Sequence, residues 1–277
     1  MGHALDLRAS CNGAGLDCDQ PAKQDLGMKM EHSKKGKRVI VCVIFTMLLL
    51  VCVTAVLLLL KKININQYLV TGYSVRGVDV SHYQGEIDWQ QFKEQGIDFA
   101  FIKATEGSSF VDEKYEENWV NAREAGLYAG AYHFYSFDSP AASQAEHFIS
   151  IAGDLSGALP PVVDIEYYGD KQENPPEKDQ VVSGLQELLN ALEKEYGVKP
   201  VIYTTYAVYN KYIRNGFQEY PLWIRNVYYP PADIGREWTF WQYSDRGKLR
   251  GTAGEEKYVD LNVFRKGREE LEKLLIP

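Results

Sequence analysis

Apolar residues follow two different patterns along this chain, and the change between them falls near residue 61. Residues 39–60 read VIVCVIFTMLLLVCVTAVLLLL, a run of 22 residues without a charge. At about 1.5 Å of rise per residue, such a helix is long enough to cross a hydrocarbon core of roughly 30 Å. The run therefore predicts a transmembrane helix. A cleaved signal peptide fits less well, because its apolar region is typically about 7 to 15 residues long.

Positive charges flank this apolar run unequally. Four lie just before it and two just after it: Lys34, Lys35, Lys37 and Arg38, then Lys61 and Lys62. Because positively charged flanks stay on the cytoplasmic side, we expect the amino terminus in the cytoplasm and the rest of the chain beyond the membrane. The polar residues 1–38 are expected to form a disordered tail, and residues 61–75 a tether. The lipid bilayer is thus one expected partner.

From residue 75 onward, short apolar runs alternate with helix-like stretches, which is typical of βαβ units and a mainly parallel sheet. Eight strands are predicted at 75–80, 97–105, 128–134, 159–166, 199–205, 221–227, 238–244 and 258–264. Helices are predicted at 88–95, 113–125, 140–152, 178–196, 207–214 and 266–275, with Gly126, Gly153 and Gly197 at three of their ends. Eight strands in about 200 residues favour a TIM-barrel-like (β/α) barrel over an open doubly wound sheet.

Charge and cysteine usage narrow the function further. Residues 1–75 contain nine Lys or Arg and five Asp or Glu, which leaves 21 and 33 from residue 76 onward and a net charge of −12 there. A domain this acidic is a poor partner for nucleic acid. All four cysteines lie at or before residue 52, so the carboxyl-terminal domain has no disulfide framework. We expect that domain to be a monomer.

The most informative segment is Val-Val-Asp-Ile-Glu at 162–166. Alternate side chains of a strand share one face, so Asp164 and Glu166 are expected to point the same way at the carboxyl end of a buried strand. Two carboxylates this close disfavour joint ionisation, which allows one of them to remain protonated and act as a general acid. Asp-x-Glu also occurs by chance in many chains, so this pattern alone does not establish catalysis.

Polar and aromatic residues end the other predicted strands, where a β/α barrel places its active site. Carboxylates with aromatic side chains suit a carbohydrate, whose ring faces stack on Trp and Tyr. Candidate catalytic residues are Asp79, Asp164, Glu166 and Asp260, and candidate substrate-binding residues are Tyr132, His133, Tyr135, Tyr203, Trp223, Trp241 and Gln242.

Other chemistries fit less well. His82, His133 and Asp79 are conceivable metal ligands, but no HExxH motif or Cys/His cluster is present. Nucleotide-binding loops and a G-x-S-x-G elbow are also missing, so no cofactor is expected. Lys103 lies near Glu106, where an ion pair is the favoured interpretation.

Several motifs occur in a family-specific order: GVDVS at 77–81, QG at 84–85, IDW at 87–89, FIKATEG at 101–107, YHF at 132–134, DIE at 164–166, WQYS at 241–244 and VDLN at 259–262. Over residues 76–277 the chain resembles the glycoside hydrolase family 25 lysozymes. These muramidases cut peptidoglycan between N-acetylmuramic acid and N-acetylglucosamine. The resemblance implies a flattened, irregular barrel with fewer helices than strands, and peptidoglycan as the substrate.

The resemblance also implies roles for the four carboxyl groups. Glu166 corresponds to the general acid, Asp164 to the group that orients or stabilises the reacting sugar, and Asp79 and Asp260 to further acidic residues of the cleft. Attack by the substrate's own N-acetyl group and attack by an activated water both remain open. So does a catalytically idle glycan-binding domain.

Arg225 departs from the family, whose members usually carry Ala there. We expect it to pair with Asp233, with a substrate carboxylate as the alternative.

Overall fold

A computed structural model describes residues 20–59, 65–254 and 256–277. The chain divides into two compact units, one up to Lys62 and one from Ile63 to Pro277. The first contains a single described helix. The second contains the predicted barrel.

Helix α1 spans Gln20–Leu59, so it begins well before the predicted start at residue 39. Residues 20–38 are therefore helical and not the disordered tail expected there, while residues 1–19 of that tail lie outside the described residues. Residues 22–38 contain no proline and many helix formers, and Pro21 stands at the helix start, where proline is tolerated. Within α1, Lys34–Leu57 contains an 18-residue window with a mean hydropathy of 3.1, and the stretch is long and apolar enough to cross a membrane. A signal sequence would pass the same test.

Nine strands form the sheet of the second unit. They are β1 Val75–Val80, β2 Phe99–Glu106, β3 Phe110–Val111, β4 Tyr128–Phe134, β5 Val162–Ile165, β6 Val201–Thr205, β7 Leu222–Arg225, β8 Phe240–Gly247 and β9 Val259–Phe264. All eight predicted strands are present. The additional strand β3 has two residues and pairs antiparallel with the end of β2, too short to leave a periodic pattern in the sequence.

The strands other than β3 close into a barrel. Their order is β1-β9-β8-β7-β6-β5-β4-β2, and β2 pairs in turn with β1. Neighbours are parallel except at β9, which is antiparallel to both β8 and β1. No described helix lies between β8 and β9, and without a crossover helix the chain returns in the opposite direction. The barrel is thus mixed and poor in helices in its last third, as expected.

Helices cover the outside of this barrel. They are α2 Asn66–Leu69, α3 Trp89–Glu94, α4 Tyr115–Glu124, α5 Ala141–Ala152, α6 Lys178–Tyr196, α7 Tyr206–Val208, which continues into a π-helical turn Tyr209–Ile213, and α8 Arg268–Glu272. The six helices predicted after residue 75 are all present. α6 has the predicted bounds, α7 with its π-helical turn begins and ends one residue earlier than predicted, and the other four are shorter. α6 ends where predicted because Gly197 adopts φ 70°, a left-handed conformation that a side chain would disfavour.

Large aromatic side chains fill the inside of the barrel. Phe101 stacks on Trp223 with ring centroids 4.6 Å apart, and Phe99 and Phe240 pack beside them. A Cβ atom at Gly77 on β1 would lie only 2.3 Å from the Phe99 ring, so the aromatic filling requires glycine on the neighbouring strand. Because these aromatic side chains fill the inside of the barrel, we expect a site at the carboxyl ends of its strands, where barrels of this kind carry their active sites.

Residues 65–74, here called the entry segment, belong to the folded domain. Asn66 is buried and donates to the carbonyl oxygens of Asn226 and Tyr243, at 3.1 and 3.0 Å. Val70 is buried in the outer core, and the Tyr73 ring packs against Trp238. The tether expected over residues 61–75 is therefore docked from residue 65 on, and residues 61–64 lie outside the described residues.

Candidate active site

Four carboxyl groups meet at the carboxyl-end rim of the barrel. Asp79 lies on β1, Asp164 on β5, Glu166 directly after β5, and Asp260 on β9. All four line one cavity of about 190 Å³. A neighbouring cavity of about 600 Å³ shares Glu166 and Asp260 with it, so the two form one cleft with acidic side chains at their junction.

Asp164 and Glu166 share the face of β5 that the strand period predicts. Burial raises the pKa of Asp164 well above its ordinary range, and the nearby charges of Glu166 and Asp79 raise it further. Burial also raises the pKa of Glu166, while the positive charge of Arg225 opposes that rise. A carboxyl group with a raised pKa remains protonated closer to neutral pH and can donate a proton. This pair therefore supplies an acid.

One oxygen of Asp164 has no partner. Its Oδ1 atom is fully buried and makes no hydrogen bond with any described residue. A buried carboxylate oxygen without a donor is costly, typically about 1–3 kcal/mol or more. Such an atom is satisfied when a ligand brings an N–H or O–H group into the cavity.

Asp79 and Asp260 stand directly opposite each other in the antiparallel pairing of β1 and β9. Asn262 Nδ2 donates to Asp79 at 2.6 Å, and Gln242 Nε2 donates to both Asp79 oxygens, at 3.1 and 3.0 Å, and to Asp260 Oδ2 at 3.1 Å. Burial raises the pKa of both carboxyl groups, and the neighbouring charge of Asp79 raises the pKa of Asp260 further. The two side chains act as one hydrogen-bonded unit.

A second layer fixes the amides that hold this unit. The Tyr203 hydroxyl donates to Gln242 Oε1 at 3.0 Å, and Trp223 Nε1 donates to Asn262 Oδ1 at 2.9 Å. Each amide therefore presents its NH₂ group to Asp79. Gln242 is 1% exposed and uses both ends in this network. Gln242 lines neither cavity and contacts the carboxyl groups from below the cleft, whereas the sequence predicted a substrate-binding position.

Two cations reach the cleft. Lys103 Nζ lies 2.7 Å from Glu106 Oε2, the ion pair expected from their spacing, and packs over the Phe110 and Phe134 rings. Arg225 lines the larger cavity, and its Nη2 atom lies 2.9 Å from Asp245 Oδ2. The expected pairing of Arg225 with Asp233 is wrong: Asp233 instead accepts a hydrogen bond from the Tyr206 hydroxyl.

Three of the predicted aromatic residues line the cleft. Tyr132, Tyr203 and Trp223 surround the smaller cavity. The outer aromatic residues were not among the candidate site residues, and of these Tyr83, Tyr228 and Tyr229 are about half exposed or more. All three follow the ends of β1 and β7, where strand periodicity no longer indicates which way a side chain points. Asn262, two residues after Asp260 on the same face, was likewise not assigned to the site.

Three other predicted substrate-binding residues lie outside the cleft. His133 is fully buried and bonds to Thr105 Oγ1 and Gln144 Oε1, and burial lowers its pKa to about 4. Tyr135 lies beyond the end of β4 and lines a separate cavity against α6. Trp241 is fully buried on the outer face of β8 and donates from Nε1 to the Asn226 carbonyl oxygen. The sequence showed their strands but not which face each occupies. A neutral His133 between two polar side chains has a structural role.

His82, which the sequence suggested as a metal ligand together with His133, lies with its Nδ1 atom 2.7 Å from Asp112 Oδ2 and forms a hydrogen bond with it. The rim thus combines proton-donating carboxyl groups, an unpartnered carboxylate oxygen and exposed tyrosines. Hydrolysis of a glycosidic bond uses a pair of carboxyl groups, one of which donates a proton to the leaving oxygen. Fold and site together define the class of a glycoside hydrolase.

A family model for the glycosyl hydrolases family 25 matches residues 78–252. The chain is 38% identical over 211 residues to the uncharacterized protein YegX of Escherichia coli O157:H7. This alignment covers 74% of the chain and 75% of YegX. The chain is 37% identical to Lysozyme M1 of Streptomyces globisporus, and the alignment covers 69% of this chain and 67% of Lysozyme M1. A family 25 glycosyl hydrolase structure from Bacillus anthracis superimposes with a TM-score of 0.70 and 48% identity, over 73% of this chain and 94% of that one. The chain belongs to glycosyl hydrolase family 25 and is a glycoside hydrolase of the lysozyme type.

Proposed function

We propose that this protein is a membrane-tethered muramidase that cleaves the β-1,4 bond between N-acetylmuramic acid and N-acetylglucosamine, with Glu166 as the general acid. The observation that carries the acid assignment is the position of Glu166 at the junction of the two cavities. A sugar chain that occupies both cavities places a glycosidic oxygen beside this carboxyl group. The raised pKa of Glu166, caused mainly by burial, keeps the proton available there.

Asp164 is the proposed partner of the substrate's N-acetyl group. Its unpartnered Oδ1 atom is suited to accept a hydrogen bond from the acetamide N–H of the sugar in the smaller cavity. That bond turns the acetamide carbonyl oxygen toward the scissile carbon, so that the substrate supplies its own nucleophile.

The alternative route, in which Asp79 or Asp260 activates a water, has less support from the contacts. Both Asp79 oxygens already accept hydrogen bonds from Gln242 and Asn262, and burial together with the charge of Asp79 raises the pKa of Asp260 well above its ordinary range, which favours its neutral form. A general base needs an ionised oxygen with a free lone pair. We therefore assign to Asp79 and Asp260 the role of binding and orienting the sugar.

Membrane tethering rests on the apolar segment of α1 and its basic flank. By the positive-inside rule, the basic flank supports a cytoplasmic amino terminus and a barrel on the cell-wall side of the bilayer. Attachment to the bilayer by one helix would confine hydrolysis to the wall layer nearest the membrane. Wall remodelling or lysis is the corresponding biological role.

Two substitutions in the soluble fragment 63–277 test the acid and its partner. Glu166→Gln removes the proton donor but keeps the shape, so we expect kcat on purified peptidoglycan to fall by about 10²–10⁴-fold with KM little changed. Asp164→Asn should reduce kcat strongly and change binding modestly. Glu237→Gln is the matched control, because Glu237 is exposed and paired with Arg265 away from the cleft. Near-normal turnover of Glu166→Gln would remove Glu166 from the acid role.

A further inference from the structure

Arg225 is the one Lys, Arg or His side chain among the described residues that line the larger cavity. It ends β7, in register with Thr205 on β6 and Gln242 on β8. Its side chain is 31% exposed, whereas Asp245, with which it pairs, is 19% exposed. The guanidinium therefore lies on the cavity wall and still faces solvent.

Most hydrogen-bond donors of this guanidinium are not used by the protein. Nη2 donates to Asp245 Oδ2, and this is the one side-chain hydrogen bond that Arg225 makes within the described part of the chain. An arginine side chain carries N–H groups on Nε and both Nη atoms in a planar fork that matches a carboxylate. Asp245 holds one edge of the fork and thereby fixes its direction.

The carboxyl groups around Arg225 do not fully neutralise its positive charge, so the electrostatic potential in this part of the cavity is positive. Glu166 and Asp260 line the same cavity, but burial raises the pKa of both carboxyl groups and favours their neutral forms. Asp245 is the carboxyl group in hydrogen-bond contact with the guanidinium, at one edge of the fork. An anion that enters the cavity meets the other edge.

Peptidoglycan carries carboxylates close to its glycosidic bonds. The lactyl group of N-acetylmuramic acid ends in a free carboxylate on peptide-free strands. On peptide-bearing strands it is bound as an amide to a stem peptide, which has carboxylates of its own. N-acetylglucosamine carries neither, so a carboxylate site next to the acid would distinguish the two sugars.

We propose that Arg225, held by Asp245, binds a carboxylate of the muramyl branch of the substrate and so helps to set the specificity of the enzyme. This inference deepens the proposed muramidase function and rests on it. Because Arg225 and Glu166 line the same cavity, we assign the carboxylate to a sugar at or next to the bond that is cleaved.

Binding measured without turnover tests this assignment. Fragment 63–277 with Glu166→Gln, alone and combined with Arg225→Met, is titrated calorimetrically with soluble glycan strands. The strands are peptide-free or peptide-bearing, and each is used with its carboxyl groups intact or amidated. We expect Arg225→Met to weaken binding of intact strands about tenfold or more, since hydrogen bonds to charged groups contribute roughly 1.5–3 kcal/mol. Binding of amidated strands should not change.

The arms separate the possible outcomes. Loss of affinity confined to strands with intact carboxyl groups supports the proposal. If affinity falls for peptide-free strands, the lactyl carboxylate is the group bound. If it falls for peptide-bearing strands alone, the group bound is a carboxylate of the stem peptide. Equal loss on intact and amidated strands, or no loss, overturns it. Lys266→Met, which removes an exposed charge outside the cleft, controls for net charge. Cleavage by the fragment with Glu166 intact is scored separately, so failure of the muramidase function remains distinguishable.

Discussion

Buried carboxyl groups are the residues that decide what this barrel can do. Asp164 illustrates the cost, because its Oδ1 atom is buried without a hydrogen bond in a cavity that also holds Asp79 and Glu166. The fold keeps this group where folding alone would favour an uncharged side chain. Its destabilising effect on the free protein is therefore expected to depend on pH.

Asp164→Asn is expected to stabilise the domain at neutral pH. The pKa of Asp164 is raised by burial, then by Glu166 and Asp79, so it lies above that of the unfolded chain. Proton binding then stabilises the folded state fully below the unfolded pKa, and this contribution is lost as the pH rises through the folded pKa. The gain from Asn should thus be small near pH 4 and grow toward pH 7, reaching a few degrees in Tm.

Thermal unfolding of fragment 63–277 across this pH range measures the effect. Asp154→Asn is the control of opposite sign: hydrogen bonds from Ser156 lower the pKa of the exposed Asp154, so removing its charge should give no gain at pH 7. A Tm of Asp164→Asn that is unchanged or lower at every pH would show that Asp164 is not held under strain.

Residue positions were predictable only as far as strand periodicity reaches. Asp164 and Glu166 share a face because they alternate on one strand, and Asp79 and Asp260 were identified by motif. His133 and Trp241 also lie on predicted strands, but on faces that bury them against Gln144 and Asn226. Hydropathy does not distinguish an aromatic residue that lines a cleft from one that packs a core, since both require apolar surface.

Elements were more predictable than residues. Alternating apolar runs give the strands, and glycines at the helix ends give their limits, so all eight barrel strands appear at nearly the predicted positions. The entry segment escaped prediction because its anchoring depends on long-range contacts: Asn66 bonds to residues 160 and 177 positions away. No local pattern encodes such a contact.

Removal of the entry segment should destabilise the barrel. Fragment 75–277 loses the burial of Val70, typically about 1.5–3 kcal/mol, and two hydrogen bonds from Asn66, each about 1 kcal/mol. We therefore expect its free energy of unfolding in urea to be at least about 3 kcal/mol below that of fragment 63–277. Tyr68→Ala in the longer fragment is the control, since Tyr68 is exposed. Equal stability of the two fragments would show that residues 65–74 are a dispensable tether.

At the scale of the whole molecule, the proposed membrane anchor would determine where hydrolysis occurs. The full chain should sediment with membranes and resist extraction by alkaline carbonate, because a spanning segment of this length is held by the hydrophobic effect. Fragment 63–277 should remain in the supernatant. If expression of the full chain instead gave a soluble protein that lacks the amino-terminal residues, the helix would be a cleaved signal sequence.

The central claim concerns the bond that is cut. Incubation of fragment 63–277 with purified peptidoglycan, followed by borohydride reduction and identification of the reduced sugar, tests it most directly. The arrangement of Glu166 and Asp164 in a family 25 barrel predicts new reducing ends of N-acetylmuramic acid, and their loss in Glu166→Gln. New reducing ends of N-acetylglucosamine, or binding without any cleavage, would contradict it.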